Sequence, residues 1–372
     1  MNKKIGILTA GGDSPGLNAA IRAVGKRLAA ANCQLIGFRD GFEGIAFDRS
    51  TVLTGETLSG ILTIGGTILH TSRHKPNKMP LNGKLVDMSE AIIENYRKNR
   101  LSCLVCIGGG GTHKSALLLK KAGLNIVTIP KTIDNDLTMT DSSIGFDTAL
   151  DVATGAIDSL HSTASSHKRI MLVEIMGHRT GWLALGSGIA GGADVILIPE
   201  IPYDLKKVSE TLLQRSSEGK LFSIVPVAEG ALNVERAAEI AALEAQRSQC
   251  EDKKARTELK QKIEQLTELR HDRIFEVAAE LEKLTGLETR VTVLGHLQRG
   301  GKPSTVDRLR ATVLGRACAE AILEDKFGVM VALRGLTTEL VPLEKVAGKR
   351  REVTQDHPWV DCARSLGISF GD

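Results

Sequence analysis

NIVTIPKTIDNDL, residues 125–137, changes character at its midpoint. Asn125 to Ile129 is an apolar run that reads as a buried strand. Pro130 disfavours helix at the residue before it, so the chain leaves that strand extended or turning. Lys131, Thr132, Asp134 and Asp136 follow within the next six residues. In open α/β sheets ligands bind outside the carboxyl ends of strands. A loop there with an ammonium, a hydroxyl and two carboxylates can handle a phosphate, a metal ion or a proton. The same residues can equally form a polar turn that caps the next segment, so the rest of the chain has to decide.

Working outward, Leu101–Ile107 reads as a strand that ends in Gly108-Gly109-Gly110-Gly111-Thr112, before a helix over 114–122. Glycine costs backbone entropy, so four together mark a close approach of backbone and ligand. His113 precedes Lys114 and the glycine spacing is wrong, which excludes a Walker A loop. Upstream, residues 4–9 form a strand, Gly11–Gly16 a turn and 18–30 a helix. Backbone N–H groups at such a junction can hold phosphate. A strand over 33–38 follows, then Gly65-Gly66-Thr67, the cationic stretch Thr71-Ser72-Arg73-His74-Lys75, and a helix over 87–100 with Ala91, Ile92 and Tyr96 on its buried side. The first 140 residues thus alternate strand and helix, a doubly wound pattern with its loops on one sheet edge.

A second α/β unit follows. It has a helix over 147–161, Ser165-Ser166-His167-Lys168-Arg169, and strands at 170–175, 195–198, 222–227 and 291–294. Met176-Gly177-His178-Arg179-Thr180-Gly181-Trp182, Glu229-Gly230 and Gly295–Gly301 are its strand-end loops. The charged stretch 233–285 has apolar residues at steps of three and four, which suggests two antiparallel helices or a short coiled coil lying on the surface. A helix over 304–324 and a strand near 329–333 complete the layers. The fold class is α/β: two doubly wound Rossmann-like domains with mainly parallel sheets, plus a helical insertion.

Composition narrows the function classes. Aromatics are 3% of 372 residues, which argues against base-stacking surfaces, and the net charge of +4 is not gathered in a block. Neither a nucleic-acid partner nor a membrane span is expected. Cys103 and Cys106 form a CxxC inside a strand, where odd spacing sends them to opposite faces, so they read as core. Six scattered cysteines and no leader-like apolar core fit a reduced, cytoplasmic setting.

Taken together, GGDSPGLNAAIR (11–22), Arg73 in its TSR context, the 108–112 loop, PKTIDND (130–136), SSHKR (165–169), MGHRTGW (176–182), Glu229 and ETRVTVLGHLQRGG (288–301) stand in the order of the phosphofructokinases. The chain resembles that family over nearly its whole length, apart from 233–285 and parts of 335–358. The resemblance implies a glycolytic transfer of the terminal phosphoryl group of ATP, or in some members pyrophosphate, to the 1-hydroxyl of fructose 6-phosphate. It implies Asp134 as the base, Thr132 at the transferring group, and Arg169 as an arginine supplied by a neighbouring subunit. Gly12, Arg73, His74, Gly109, Gly110, Gly111, Thr112 and Lys131 match the donor site, with Gly12 also close to the chemistry. Met176, Gly177, His178, Glu229, Arg290, His296 and Arg299 match the sugar-phosphate pocket. A donor domain of 1–145 with 298–348, a sugar domain of 146–297 with 349–372, and a homo-oligomer (tetramer or dimer) with shared sites are implied.

Departures from the family pattern shape the expectations further. Gly110 stands where an aspartate usually helps to hold Mg2+, which shifts that task to Asp136 and raises the alternative of a catalytically weak sugar-phosphate-binding subunit. Pyrophosphate users usually pair an acid at position 111 with a lysine at 131. This chain keeps Gly111 beside Lys131, and the open glycine favours ATP. His178 replaces a common arginine, and Gly55 and His161 replace effector-site arginines, although Arg22 and Lys26 are kept.

Overall fold

The computed structural model describes residues 3–268 and 272–372. It divides into two compact units, Met1–Ala149 with Arg299–Arg351 and Leu150–Gln298 with Glu352–Asp372.

The first unit opens with β1 (Lys4–Ala10), α1 (Leu17–Ala30), β2 (Gln34–Phe38), α2 (Phe42–Ala46) and β3 (Ser50–Leu53). A hairpin of β4 (Met79–Leu81) and β5 (Lys84–Val86) precedes α3 (Ser89–Lys98), β6 (Leu101–Gly108), α4 (Gly110–Lys121) and β7 (Ile126–Pro130). The chain then passes through α5 (Phe146–His167), β8 (Ile170–Ile175), α6 (Trp182–Ala190), α7 (Leu205–Ser217) and β9 (Ser223–Ala228). Next come α8 (Val234–Gln249), α9 (Lys253–Leu266), α10 (Arg273–Thr285) and β10 (Thr289–Val293). The last elements are α11 (Thr305–Leu323), β11 (Val329–Arg334), β12 (Thr337–Pro342), α12 (Leu343–Val346) and α13 (Pro358–Ser365).

The seven-stranded sheet runs β12-β11-β7-β6-β1-β2-β3. Its interior pairs are parallel, and β3 and β12 are antiparallel edges. Alternation along β6 sends Cys103, Val105 and Ile107 into one core and Leu104 and Cys106 into the other, as expected of a central strand covered on both faces. The two cysteines are therefore core residues on opposite sides of the sheet. Helices α1 and α11 pack closely: a Cβ on Gly315 would lie 2.7 Å from the Ala23 Cβ and 2.8 Å from the Ala20 carbonyl. Strand order reverses between β1 and β6, so their carboxyl ends flank a topological switch point, where α/β sheets bind ligands.

The second unit holds a parallel three-stranded sheet, β10-β8-β9. Its order reverses at β8, which places the loops after β8 and β10 side by side. Val195–Ile198, expected as a strand, is fully buried but makes only isolated bridges, Val195 to Ser369, Leu197 to Val227 and Ile198 to Ile201. Burial explains the apolar run without a continuous ladder. The stretch 233–285 forms three helices rather than two, with residues 269–271 outside the description. Asp252 caps α9 by accepting from Lys254 N and Ala255 N. Helix α10 is no surface excursion: Ile274, Val277, Ala278 and Leu281 are buried, and it packs on α7, β8 and β10. Helix α5 runs on to His167, so Ser165 and Ser166 belong to its last turn.

Candidate active site

In the first unit, the loops after β1, β6 and β7 are tied together by backbone and side-chain bonds. Lys131 N donates to Gly108 O at 3.0 Å, and Gly11 N donates to Ser72 O at 2.8 Å. Thr71 Oγ1 donates to Gly11 O at 2.8 Å, which brings the 71–74 stretch to the first glycine turn. Helix α4 begins at Gly110 rather than at 114, so Gly110 and Gly111 form its first turn, with Gly109 as N-cap and no acid in that turn. Its unpaired N–H groups and positive dipole end therefore open at the switch point. The glycines divide by cause. A Cβ on Gly108 would lie 2.1 Å from Thr112 Oγ1, a packing requirement, whereas one on Gly111 meets nothing within 4 Å. Thr112 is committed to the fold, its Oγ1 donating to Ala10 O at 3.3 Å.

The loop after β7 is rigidly formed. Thr132 Oγ1 donates to Asp134 Oδ2 at 3.2 Å and accepts from Asp134 N at 3.1 Å. Asn135 takes the left-handed conformation (φ 52°) and accepts Ser143 N at 3.2 Å, while Ser143 Oγ donates to Thr132 O at 2.6 Å. Neither Asn135 nor Ser143 is signalled as a site residue by its type. Lys131 is buried, and its ammonium donates to Gly12 O and Ala10 O. Its pKa is lowered to about 8, first by burial and next by the Arg299 charge, with Asp134 and Asp13 opposing the shift. Arg73 also acts on Lys131, so these five charged groups share one neighbourhood.

Arg299, expected with the sugar-phosphate residues, belongs to the first unit, and its Nη1 donates to Asp13 O at 3.1 Å. Gly12 makes room for it, since a Cβ there would lie 2.7 Å from Arg299 Nη1. His74 contacts Glu43, with its Nδ1 2.7 Å from Glu43 Oε2. In the sequence His113 stands out only as the residue that breaks the Walker pattern. It is fully buried, with Nδ1 bonded to Gly109 O at 2.8 Å, and burial lowers its pKa to about 4. It is a neutral prop beneath the glycine loop.

Asp136 is the candidate for supporting a metal. Its pKa is raised to about 6, first by burial and next by the neighbouring Asp134 carboxylate, with Arg350 opposing the shift. Among the described residues no group of three or more His, Cys, Asp or Glu side chains converges on one point. The Asp134 carboxylate disfavours charge on Asp136, and a divalent cation beside Asp136 would relieve that repulsion. Mg2+ commonly takes one or two protein carboxylates and completes its shell with water and phosphate, so this donor set fits it. Arg351 N donates to Asp136 O at 2.8 Å, tying the 350–351 segment to this loop from a part of the chain without a recognisable motif.

In the second unit, Glu229 Oε1 accepts from Gly177 N at 3.1 Å and from His178 N at 2.7 Å, which fixes the loop after β8. His178 adopts φ 56° there. Met176 N donates to Gln298 Oε1 at 2.8 Å. Gln298 is fully buried and joins the β8 loop to the turn that carries the exposed His296. Its location inside GHLQRGG was the only sign of it in the sequence. Arg179 turns away and donates to Thr267 Oγ1 at 2.9 Å. Arg169 and Arg290 are elsewhere. They lie at the amino-terminal ends of β8 and β10, where Glu288 pairs with Arg169 Nε at 2.8 Å and also with Arg290. Met176 and His178 follow the other end of β8, about 17 Å away along the strand at ~3.3 Å per residue. Arg290, expected beside His296, is thus at the opposite end of the same strand, and one chain does not bring these groups together.

Backbone-lined loops at a switch point, a threonine–aspartate pair and a buried lysine define a phosphate-handling α/β protein. The Phosphofructokinase family model matches residues 4–322. An ATP-dependent 6-phosphofructokinase of Propionibacterium freudenreichii is 54% identical over 373 residues, covering 100% of both chains. One of Spirochaeta thermophila is 50% identical, covering 100% of this chain and 98% of that one. Among solved structures, Pichia pastoris phosphofructokinase in the T-state is 31% identical with a TM-score of 0.76, over 93% of this chain and 35% of that longer one. A pyrophosphate-dependent phosphofructokinase of Nitrosospira multiformis, 18% identical, has the same fold, with a TM-score of 0.78 over 100% of this chain and 93% of its own. This chain belongs to the phosphofructokinase family.

Proposed function

We propose that the chain is an ATP-dependent 6-phosphofructokinase. It transfers the terminal phosphoryl group of ATP to the 1-hydroxyl of fructose 6-phosphate, giving the 1,6-bisphosphate and ADP in glycolysis. The observation that carries this reading is the Thr132–Asp134 pair, held at the carboxyl end of β7 beside the open amino terminus of α4. Asp134 accepts the sugar hydroxyl's proton as that oxygen attacks phosphorus. The 109–112 backbone and Lys131 receive the donor phosphates, with Arg73 and Gly12 at the edge of the same site. Asp136, with Asp134, would hold Mg2+. When bound, that ion neutralises charge on the donor phosphates.

The sugar phosphate is read as bound by the second unit's Met176–His178 loop, Glu229 and His296, with Arg299 of the first unit at the donor turn. Arg169 and Arg290 serve a second copy of the chain. Their place at the far end of β8 and β10 supports a homo-oligomer with shared sites, a dimer or tetramer. Cytoplasmic location accords with this function, and no helix among the described residues is long and apolar enough to cross a membrane.

The deciding experiment compares donors at saturating fructose 6-phosphate. With Mg-ATP the purified chain makes fructose 1,6-bisphosphate, at a kcat/KM about a hundredfold or more above that with pyrophosphate. Turnover with pyrophosphate alone would reverse the donor assignment. Tight sugar-phosphate binding without turnover from either donor would instead make it a binding subunit.

Lys131 supplies a pH signature. Its pKa of about 8 lies below the ordinary lysine value, so the charged form is lost as pH rises through that point. The KM for ATP therefore climbs on the alkaline side of pH 8, with a smaller change in KM for the sugar. In Lys131→Met the ATP KM is already high at pH 7, and its alkaline rise is flattened. An alkaline limb identical in wild type and variant would assign it to another group.

A further inference from the structure

We propose that Glu288 is a positioning residue that holds the guanidinium groups of Arg169 and Arg290 side by side as one receiver for a phosphate dianion. The proposal rests on the reading of those two arginines as phosphate holders. Glu288 immediately precedes β10 and Arg169 immediately precedes β8. Parallel pairing sets Thr289 opposite Ile170, and Ile170 N donates to Glu288 O at 3.0 Å, so the backbone fixes both residues at one sheet edge.

The side chains then converge. Glu288 Oε2 lies 2.8 Å from Arg169 Nε, while Oε1 takes Arg290 Nη2. Arg290 Nη1 donates to Thr289 O at 2.9 Å, a second tether on that fork. Glu288 is the one partner of the Arg169 side chain among the described residues. The contact through Nε leaves the terminal N–H groups of Arg169 for a ligand. Two guanidiniums repel each other, and a carboxylate between them sets their spacing while leaving the trio with a net charge of +1, two positive against one negative. A phosphate dianion accepts from several N–H groups of paired arginines, and holding the forks ready reduces the ordering cost of binding. Side-chain exposures of 24% for Arg169, 38% for Glu288 and 50% for Arg290 leave the receiver open to a ligand presented by another copy.

The test is steady-state kinetics of the full-length assembled enzyme with fructose 6-phosphate and Mg-ATP, on E288Q, E288D, R169A and R290A, with melting temperatures alongside. E288Q raises the KM for fructose 6-phosphate about tenfold, leaves kcat within about twofold and leaves the KM for ATP unchanged, because only preorganisation of the phosphate receiver is lost. E288D, which keeps the charge, recovers most of the lost affinity. A purely structural glutamate would instead lower the melting temperature and kcat together without that split. If R169A and R290A raise the sugar KM while E288Q leaves it unchanged or lowers it, Glu288 is a bystander or a competitor of the phosphate, and the proposal is overturned. If neither arginine variant changes the sugar KM, the reading of the arginines themselves fails, and the proposal with it.

Discussion

Replacing Asp134 with asparagine lowers kcat by about three orders of magnitude and changes the KM for fructose 6-phosphate by less than about threefold, the range expected when a general base is removed from a preserved site. The geometry makes this substitution clean. Thr132 Oγ1 donates to Asp134 Oδ2 at 3.2 Å, and an asparagine carbonyl oxygen can accept the same bond. The Asp134 N bond to Thr132 Oγ1, at 3.1 Å, does not involve the side chain at all. The loop is held independently by Asn135, Ser143 and Thr132 through bonds of 3.2 and 2.6 Å. What disappears is the capacity to accept a proton, together with one negative charge. That charge raises the pKa of Asp136, so Asp136 becomes a stronger acid in the variant, and a Mg2+ titration of the variant separates loss of the Asp134 metal contact from loss of the base. The checks are kcat and both KM values, with a melting curve to confirm the fold. A fall in kcat of less than tenfold would remove Asp134 from the role of base.

The sequence made this loop readable because its polar residues follow an apolar run without interruption. An apolar run and a proline fix a strand end by local chemistry alone, whereas reading the polar cluster as a site needed the companion loops elsewhere in the chain. The cysteines Cys103 and Cys106 were equally legible, since strand alternation separates odd spacings. Other features depend on partners distant in the chain. Glu43 captures His74, Gln298 captures Met176 N, and Glu288 reaches the distant Arg169, and nothing near any of them in sequence announces the pairing. The start of α4 was hidden for a different reason: glycine is a poor helix former, so Gly110 and Gly111 read as loop although they form the first helical turn. Val195–Ile198 shows the limit of apolar patterning, because burial on all sides looks the same whether or not the backbone joins a ladder. The break before α9 was in principle visible, since Asp252 is an N-cap residue type, but the heptad-like spacing on either side masked it.

Gly111→Asp separates donor use from folding. The position lies in the first turn of α4, is exposed, and offers a new Cβ open space to 4 Å. An acid near a helix amino terminus is favourable by about 0.3–1 kcal/mol, so the variant folds at least as well as the parent. The same carboxylate occupies the place where α4 presents its positive end to the donor phosphates, and it repels them. The kcat/KM for ATP therefore falls about a hundredfold or more, equivalent to roughly 2.7 kcal/mol, while the KM for fructose 6-phosphate stays near its original value. Use of pyrophosphate, which lacks the phosphate nearest the nucleoside, is reduced less. Gly108→Ala is the contrasting control, because its Cβ would lie 2.1 Å from Thr112 Oγ1 and 2.7 Å from Ala10 O, and it loses stability regardless of donor. An ATP kcat/KM unchanged in Gly111→Asp would mean that the nucleotide phosphates do not pass over the first turn of α4. Their binding would then have to be sought along the Gly12 turn instead, where Arg299 and Lys131 supply the nearest positive charge.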